Sequence, residues 1–126
     1  MNYKRGIKAA KKQAKKSKLC NWRIGAVIVK GNKVIGKGYN KFSGDSEYIA
    51  QKYGVKNLWS LHAEMAAILD VQGNMDGAVM FIAGVKHNGN RVYCRPCKDC
   101  MKILKHTNLE AVCYETKDGI EMLVFD

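Results

Sequence analysis

"GAVMFIAGV", residues 77–85, is apolar from end to end. A strand with one face in water alternates apolar and polar residues, because its side chains point to opposite sides in turn. A strand covered on both faces has no reason to alternate. This run therefore predicts a strand buried on both sides, and helices on either side of it would have to supply the cover.

The flanking sequence supplies such helices. Just before it, "SLHAEMAAILDVQG" (60–73) predicts one. Ser60 can cap its start, Met65, Ile68 and Leu69 give it an apolar face, and Gly73 can end it. Further upstream, "IGAVIVKGNKVIGKGYN" (24–40) holds two β-branched runs around Gly31-Asn32, a β-hairpin signal. Residues 3–17 repeat Tyr3, Ile7, Ala10 and Ala14 at helical spacing, with lysines on the other faces. That apolar stripe is thin, so this helix is expected at the edge of the core. Residues 41–57 show no period and read as a loop with a short helical turn.

Downstream, "HNGN" (87–90) is a bend and "RVYC" (91–94) a short strand. Pro96, the one proline, can occupy the first turn of a helix running to about His106. "LEAVCYE" (109–115) is another buried-type strand, "TKDG" (116–119) a turn, and "IEMLVF" (120–125) an edge strand. The order is helix, hairpin, helix, strand, helix, strand, strand. It predicts an α/β fold: a three-layer α-β-α sandwich around a five-stranded mixed sheet, in a single domain over 1–126.

Charge and cysteines narrow the setting. Lys and Arg total 22 against 11 acids, a net charge of +11. Eight of the basic residues fall in the first 18 positions, where there is no acid. Such a field attracts anions: a nucleotide phosphate, a nucleic acid or an acidic surface. A plain solvated helix face would look the same. No apolar run approaches the ~20 residues that span a bilayer, and the basic start has no apolar stretch after it, so neither a membrane span nor a secretory signal is expected. Five cysteines, three of them clustered, suggest metal binding or catalysis in the reducing cytoplasm rather than disulfides.

The cluster is "RVYCRPCKDCMK" (91–102). Cys97 and Cys100 stand three apart at a helix start, where the dipole favours thiolates, good zinc ligands. Cys94 lies before the proline. It reads as a small buried residue, with a fourth-ligand role as the rival. No second pair of ligands stands nearby, and His62 is the best distant candidate for a third. Three protein ligands and one place left for water is the arrangement of a catalytic zinc. Glu64 would stand beside that place, able to move the proton of a water the metal has acidified. His87 and His106 have no partner motif and read as loop and surface residues. Phe42, Tyr48, Trp59 and Tyr93 could stack on a base, but each reads first as packing.

"HAE" at 62–64 with "PCKDC" at 96–100 resembles the H-x-E…P-C-x-x-C signature of zinc-dependent nucleobase deaminases. The resemblance runs from "GAVIVKGNKVIGKGYN" to "NLEAVCYET", and the element order is similar to the cytidine deaminase fold. It implies that His62, Cys97 and Cys100 bind Zn2+ and that Glu64 shuttles protons. It also implies that the Ala63 backbone N–H meets the pyrimidine carbonyl, Asn40 holds the sugar, and Ala26 and Val27 wall the base. Arg23, Lys41 and Arg95 are candidates for the phosphate. A histidine in the first motif resembles the cytidylate and deoxycytidylate branch, and the tRNA adenosine deaminases. The sequence departs from the deoxycytidylate pattern at "GYNKFSGDSEY", where "GYNG-P-G" is usual, and at Ala66, where asparagine is common. The compact form looks like the small phage and bacterial deaminases.

Three readings follow. The first is a deaminase of cytosine in a small nucleotide, dCMP or CMP. The second is the same chemistry on a base within RNA or single-stranded DNA, with the basic first helix tracking the backbone. The third is a non-catalytic zinc module that binds nucleic acid. Resemblance adds a homo-oligomer as the default assembly.

Overall fold

The computed structural model describes residues 2–18, 23–41, 52, 61–86, 91–92 (backbone) and 95–125. Helix α1 spans Tyr3–Ala14, β1 Arg23–Lys30 and β2 Lys33–Tyr39; α2 spans Ala63–Asp70, β3 Val79–Val85 and β4 Arg91–Val92; α3 spans Lys98–Lys105, β5 Ala111–Thr116 and β6 Gly119–Val124. The sheet runs β2-β1-β3-β5-β6, with the two-residue β4 paired to β3 beside this path. Only the β3–β5 pairing is parallel. The expected five-stranded mixed sheet is therefore present, with β4 as a short addition.

Period-two alternation sorts the core into two layers. Ala26, Ile28, Met80, Ile82, Val112 and Tyr114 face α2 and α3, packing with Ala63, Ala67 and Leu104. The intervening Val27, Val29, Phe81, Ala83 and Cys113 face α1, packing with Ile7 and Ala10. The register ties the two sets together: Val27 opposes Phe81 and Phe81 opposes Cys113. So the all-apolar β3 is covered on both faces, as its sequence requires.

Three local expectations need correction. Helix α1 does not lie at the edge of the core. It covers the middle of one sheet face, because its stripe is thin in volume rather than in contact. Gly6 lies directly on the Phe81 ring, and Gly25 of β1 lies against the Ala10 carbonyl. Small residues on both sides bring helix and sheet unusually close. Helix α2 begins at Ala63, with His62 in the N-cap position and no side-chain cap bond, and ends at Asp70, before Gly73. Its apolar face keeps Met65 buried, while Leu69 is exposed. Helix α3 begins at Lys98 with Cys97 as its N-cap, so Pro96 precedes the helix instead of standing in its first turn.

The turn at Gly31-Asn32 joins β1 and β2, with an irregularity between Ile28 and Val29. Two glycines of β2 let α2 settle on the sheet: a Cβ at Gly38 would stand 2.6 Å from that of Ala66. β6 closes the sheet as an exposed edge strand. Most of the loop expected over 41–57, the bend at 87–90, Ser60, Trp59, Phe42, Tyr48, Tyr93, Cys20, Cys94 and His87 lie outside the described residues. Among those described, no helix is long and apolar enough to cross a membrane.

Candidate metal and catalytic site

The site forms where two helix starts meet at one end of the sheet. β3 ends there at Val85, paired with Arg23 at the beginning of β1. Helix α2 is brought in by a two-bond bridge. Lys41 N–H donates to the Leu61 carbonyl at 3.0 Å, and Leu61 N–H donates back at 2.8 Å. Leu61 is buried with Met65, Ala66, Cys100 and Ile103 in a small apolar cluster under the site. That packing holds the start of α2 against the start of α3.

His62 and Cys97 are thus the N-caps of two neighbouring helices. An N-cap has extended backbone and turns its side chain back over the helix end. The Cys97 sulfur does this, accepting the Cys100 backbone N–H at 3.3 Å. His62 makes no such bond to its own helix, and its ring faces across to α3. Its Nδ1 lies 3.1 Å from Cys100 Sγ and 3.7 Å from Cys97 Sγ.

The three ligand atoms lie within 4.8 Å of one another. A tetrahedral ion with ordinary Zn–S and Zn–N lengths sets nitrogen and sulfur about 3.6 Å apart. The two observed separations bracket that value. The charge state suits a cation as well. Cys97 is lowered to about 4, first by the bond from the Cys100 side chain and then by His62. Cys100 is pushed up, first by the same bond and then by burial. His62 is raised, chiefly through its bond with Cys97. Zinc binds thiolates, so an ion held here would displace any remaining thiol proton. Donor set, spacing and charge all fit zinc.

Glu64 is the other element of the site. It is only 5% exposed, in the first turn of α2, where a carboxylate also meets the favourable end of the helix dipole. Burial raises its pKa, against the smaller opposing pulls of a backbone hydrogen bond, the His62 charge and the Cys100 side chain. The carboxyl stands beside the ligand atoms, within hydrogen-bonding reach of the Cys100 side chain. Its place makes sense for moving protons at the centre.

Residues 1–116 match the family model of the cytidine and deoxycytidylate deaminase zinc-binding region. The chain belongs to that family. Its fold is similar to dCMP deaminase from the cyanophage S-TIM5 in apo form, at a TM-score of 0.61 and 21% identity, over 87% of this chain and 79% of that one. The same enzyme in complex with dCMP and dUMP gives 0.60 and 22%, over 86% and 76%. No curated protein sequence matches it.

The remaining candidates divide by position. Asn40 is buried at the end of β2, its Oδ1 accepting the Ile24 N–H at 2.9 Å. Lys41 follows it, and its ammonium lies over the Tyr39 ring at 5.4 Å. Arg23 donates to the Lys86 carbonyl at 3.1 Å, and Arg95 is exposed two residues before Cys97. All of these stand at the end of the sheet that carries the metal ligands. Ala26 and Val27 do not act as a pair. Ala26 faces α2 and α3, whereas Val27 faces α1 on the far side of the sheet. Strand alternation rules Val27 out of any pocket on the metal side. His106 is exposed at the end of α3, as expected of a surface residue. The Lys41–Leu61 bridge is a feature the sequence did not announce, because its partners are 20 residues apart and carry no pattern.

Proposed function

We propose that the chain is a zinc-dependent hydrolytic deaminase converting the cytosine of a small nucleotide, dCMP or CMP, to uracil with release of ammonia. The observation that carries this reading is the convergence of His62 Nδ1, Cys97 Sγ and Cys100 Sγ within 4.8 Å beside the buried Glu64. Membership of the family supports it.

His62, Cys97 and Cys100 hold the ion. Bound there, zinc lowers the pKa of a water to about 7 and so supplies a nucleophile at neutral pH. Glu64 would take up a proton from the attacking water and deliver it to the ring nitrogen. It passes the second proton to the departing amine, so that water and amino group are exchanged for carbonyl oxygen and ammonia. The Ala63 N–H, one of the unbonded donors of the first turn of α2, holds the pyrimidine carbonyl. Asn40 holds the sugar, and Ala26 lies on the base side of the sheet. Arg23, Lys41 and Arg95 share the phosphate. The enzyme works in the cytoplasm as a homo-oligomer, the assembly its family resemblance implies.

The test is an ammonia-release assay of the zinc-loaded protein. Cytosine, cytidine, deoxycytidine, both monophosphates, adenosine and oligonucleotides would be compared. Turnover of dCMP or CMP above the others is expected, and its loss in Glu64→Ala with zinc retained. An active Glu64→Ala protein would sink the mechanism.

A second reading has one observation in its favour. Arg95, Lys98, Lys102 and Lys105 line a cleft of about 580 Å3 on the outer side of α3, beginning beside Cys97. That surface suits a nucleic-acid backbone, and the same chemistry would then act on a base within a strand. Oligonucleotide binding that weakens steeply with salt, together with turnover of oligonucleotides above mononucleotides, would favour it.

A further inference from the structure

Helix α1 lies on the sheet face away from α2 and α3, yet its end reaches the site. Ser17 stands just past the last turn, with its N–H on the Ala14 carbonyl at 3.0 Å. It is 4% exposed, and its hydroxyl donates to the Asn40 carbonyl at 2.8 Å. Asn40 is held from the other side too. Its N–H donates to the Ile24 carbonyl at 3.0 Å, and its Oδ1 accepts the Ile24 N–H at 2.9 Å. The next residue, Lys41, makes the double bridge to Leu61, whose neighbour is His62.

We propose that Ser17 is a positioning residue. It pins the Asn40 carbonyl from the α1 layer and thereby fixes the distance between the Asn40 side chain and the metal ligands. The reasoning is geometric. Asn40 lies one position beyond the last β1–β2 pair, Gly25 with Tyr39; there its N–H still bonds the Ile24 carbonyl, but the Ile24 N–H goes to its side chain, so its own carbonyl is left to Ser17. Among the described residues it is held by the Ile24 exchange and the Ser17 hydroxyl, and the next residue by the Lys41–Leu61 bridge. The exchange fixes it to β1, and the bridge fixes the next residue to α2. The Ser17 bond comes from a third direction, 23 residues away in sequence. A serine with its carbonyl acceptor removed from water is a demanding arrangement, since either partner left alone in a buried place is costly. The functional consequence rests on the proposed role of Asn40 in holding a nucleotide sugar; the brace itself does not.

Two measurements separate these parts. In zinc-loaded protein, Ser17→Ala is expected to speed amide hydrogen exchange at Asn40, Lys41 and Leu61 by about tenfold, the effect of one lost buried hydrogen bond. Amides of α3 should be unchanged, and Ser17→Thr, which keeps the hydroxyl, should behave as the native protein. Unchanged exchange at those three amides in Ser17→Ala, or a Ser17→Thr protein indistinguishable from it, overturns the brace. In turnover of the preferred nucleotide, Ser17→Ala should raise KM about tenfold with kcat and zinc content nearly unchanged, and Ser17→Thr should restore KM. Equal KM values, or a loss confined to kcat, overturn the positioning role. If the native protein turns over no nucleotide, the proposed function fails, and the exchange measurement still decides the brace.

Discussion

The two faces of the sheet are made by the same alternation and do different work. On the α1 face, Val27, Val29, Phe81, Ala83 and Cys113 meet one helix side-on. The contact is apolar and close, and the helix turns its charges outward. On the other face, α2 and α3 also pack side-on, but their first residues converge at the end of the sheet. A helix start offers unbonded N–H groups, a favourable field for thiolates and carboxylates, and a cap residue whose side chain turns back. Chemistry gathers where helices begin. Where a helix only lies flat, the sheet gains stability.

The comparison can be broken most sharply on the metal side. Cys100→Ala should lose its zinc by metal analysis and lower turnover by more than roughly 10³-fold, because the acidified water goes with the ion. The chain should still give the α/β circular-dichroism signature, since the two main core layers do not depend on that sulfur. A zinc-replete, active Cys100→Ala would refute the ligand assignment.

On the α1 face the opposite pattern is expected. Gly6→Ala would gain about 1 kcal/mol of helix propensity on an isolated helix. Here the new Cβ would stand in the buried Phe81 ring, and overpacking costs about 1–3 kcal/mol. The clash should outweigh the propensity: a lower urea midpoint, with zinc content and KM unaffected. A stabilised Gly6→Ala would show that α1 is not pressed on the sheet.

Cys113 sharpens the same point through pH. Burial raises this thiol from about 9 to about 11. The folded state therefore binds the proton more tightly than the unfolded one. The resulting stability is fully present below pH 9 and is lost as pH rises towards 11. Cys113→Ala should show a shallower fall in unfolding free energy across that window than the native chain. Identical slopes would contradict a buried thiol on the α1 face.

The smallest effect should come from Lys11, whose ammonium lies 3.0 Å from Glu115 at the rim of that face. Lys11→Met should cost about 1 kcal/mol or less in urea unfolding, and the difference should shrink in high salt. A much larger loss would mean that the pair is a buried one.

Much of this was legible in residue order because it depends on short-range rules. The apolar run at 77–85 required cover on both faces and received it. Gly31-Asn32 made a hairpin turn because glycine adopts the positive φ, 64° here, that such turns need. His62, Cys97 and Cys100 were readable as one metal site because "HAE" at 62–64 and "PCKDC" at 96–100 resemble the signature of the zinc-dependent deaminases. The local readings that failed did so at helix ends. Pro96 offered a good start signal, yet α3 begins at Lys98, and α2 begins at Ala63. There His62 and Cys97 hold the N-cap positions, and only the Cys97 side chain bonds back to its helix, so packing and the bonds at the site set these ends rather than intrinsic preference.

What the sequence by itself determined was the set of elements and their amphipathic faces, which follow from periods of two and 3.6 residues, and the chemistry of the ligands, which its resemblance to the zinc-dependent deaminase signature implies. Only the tertiary structure decided that Val27 turns away from the site, that α1 lies on the middle of the sheet, and that Ser17, Asn40 and Leu61 form one line of contacts to His62. Those relations join residues far apart in the chain, and no local period encodes a hydrogen bond between a helix end on one side of a sheet and a loop on the other.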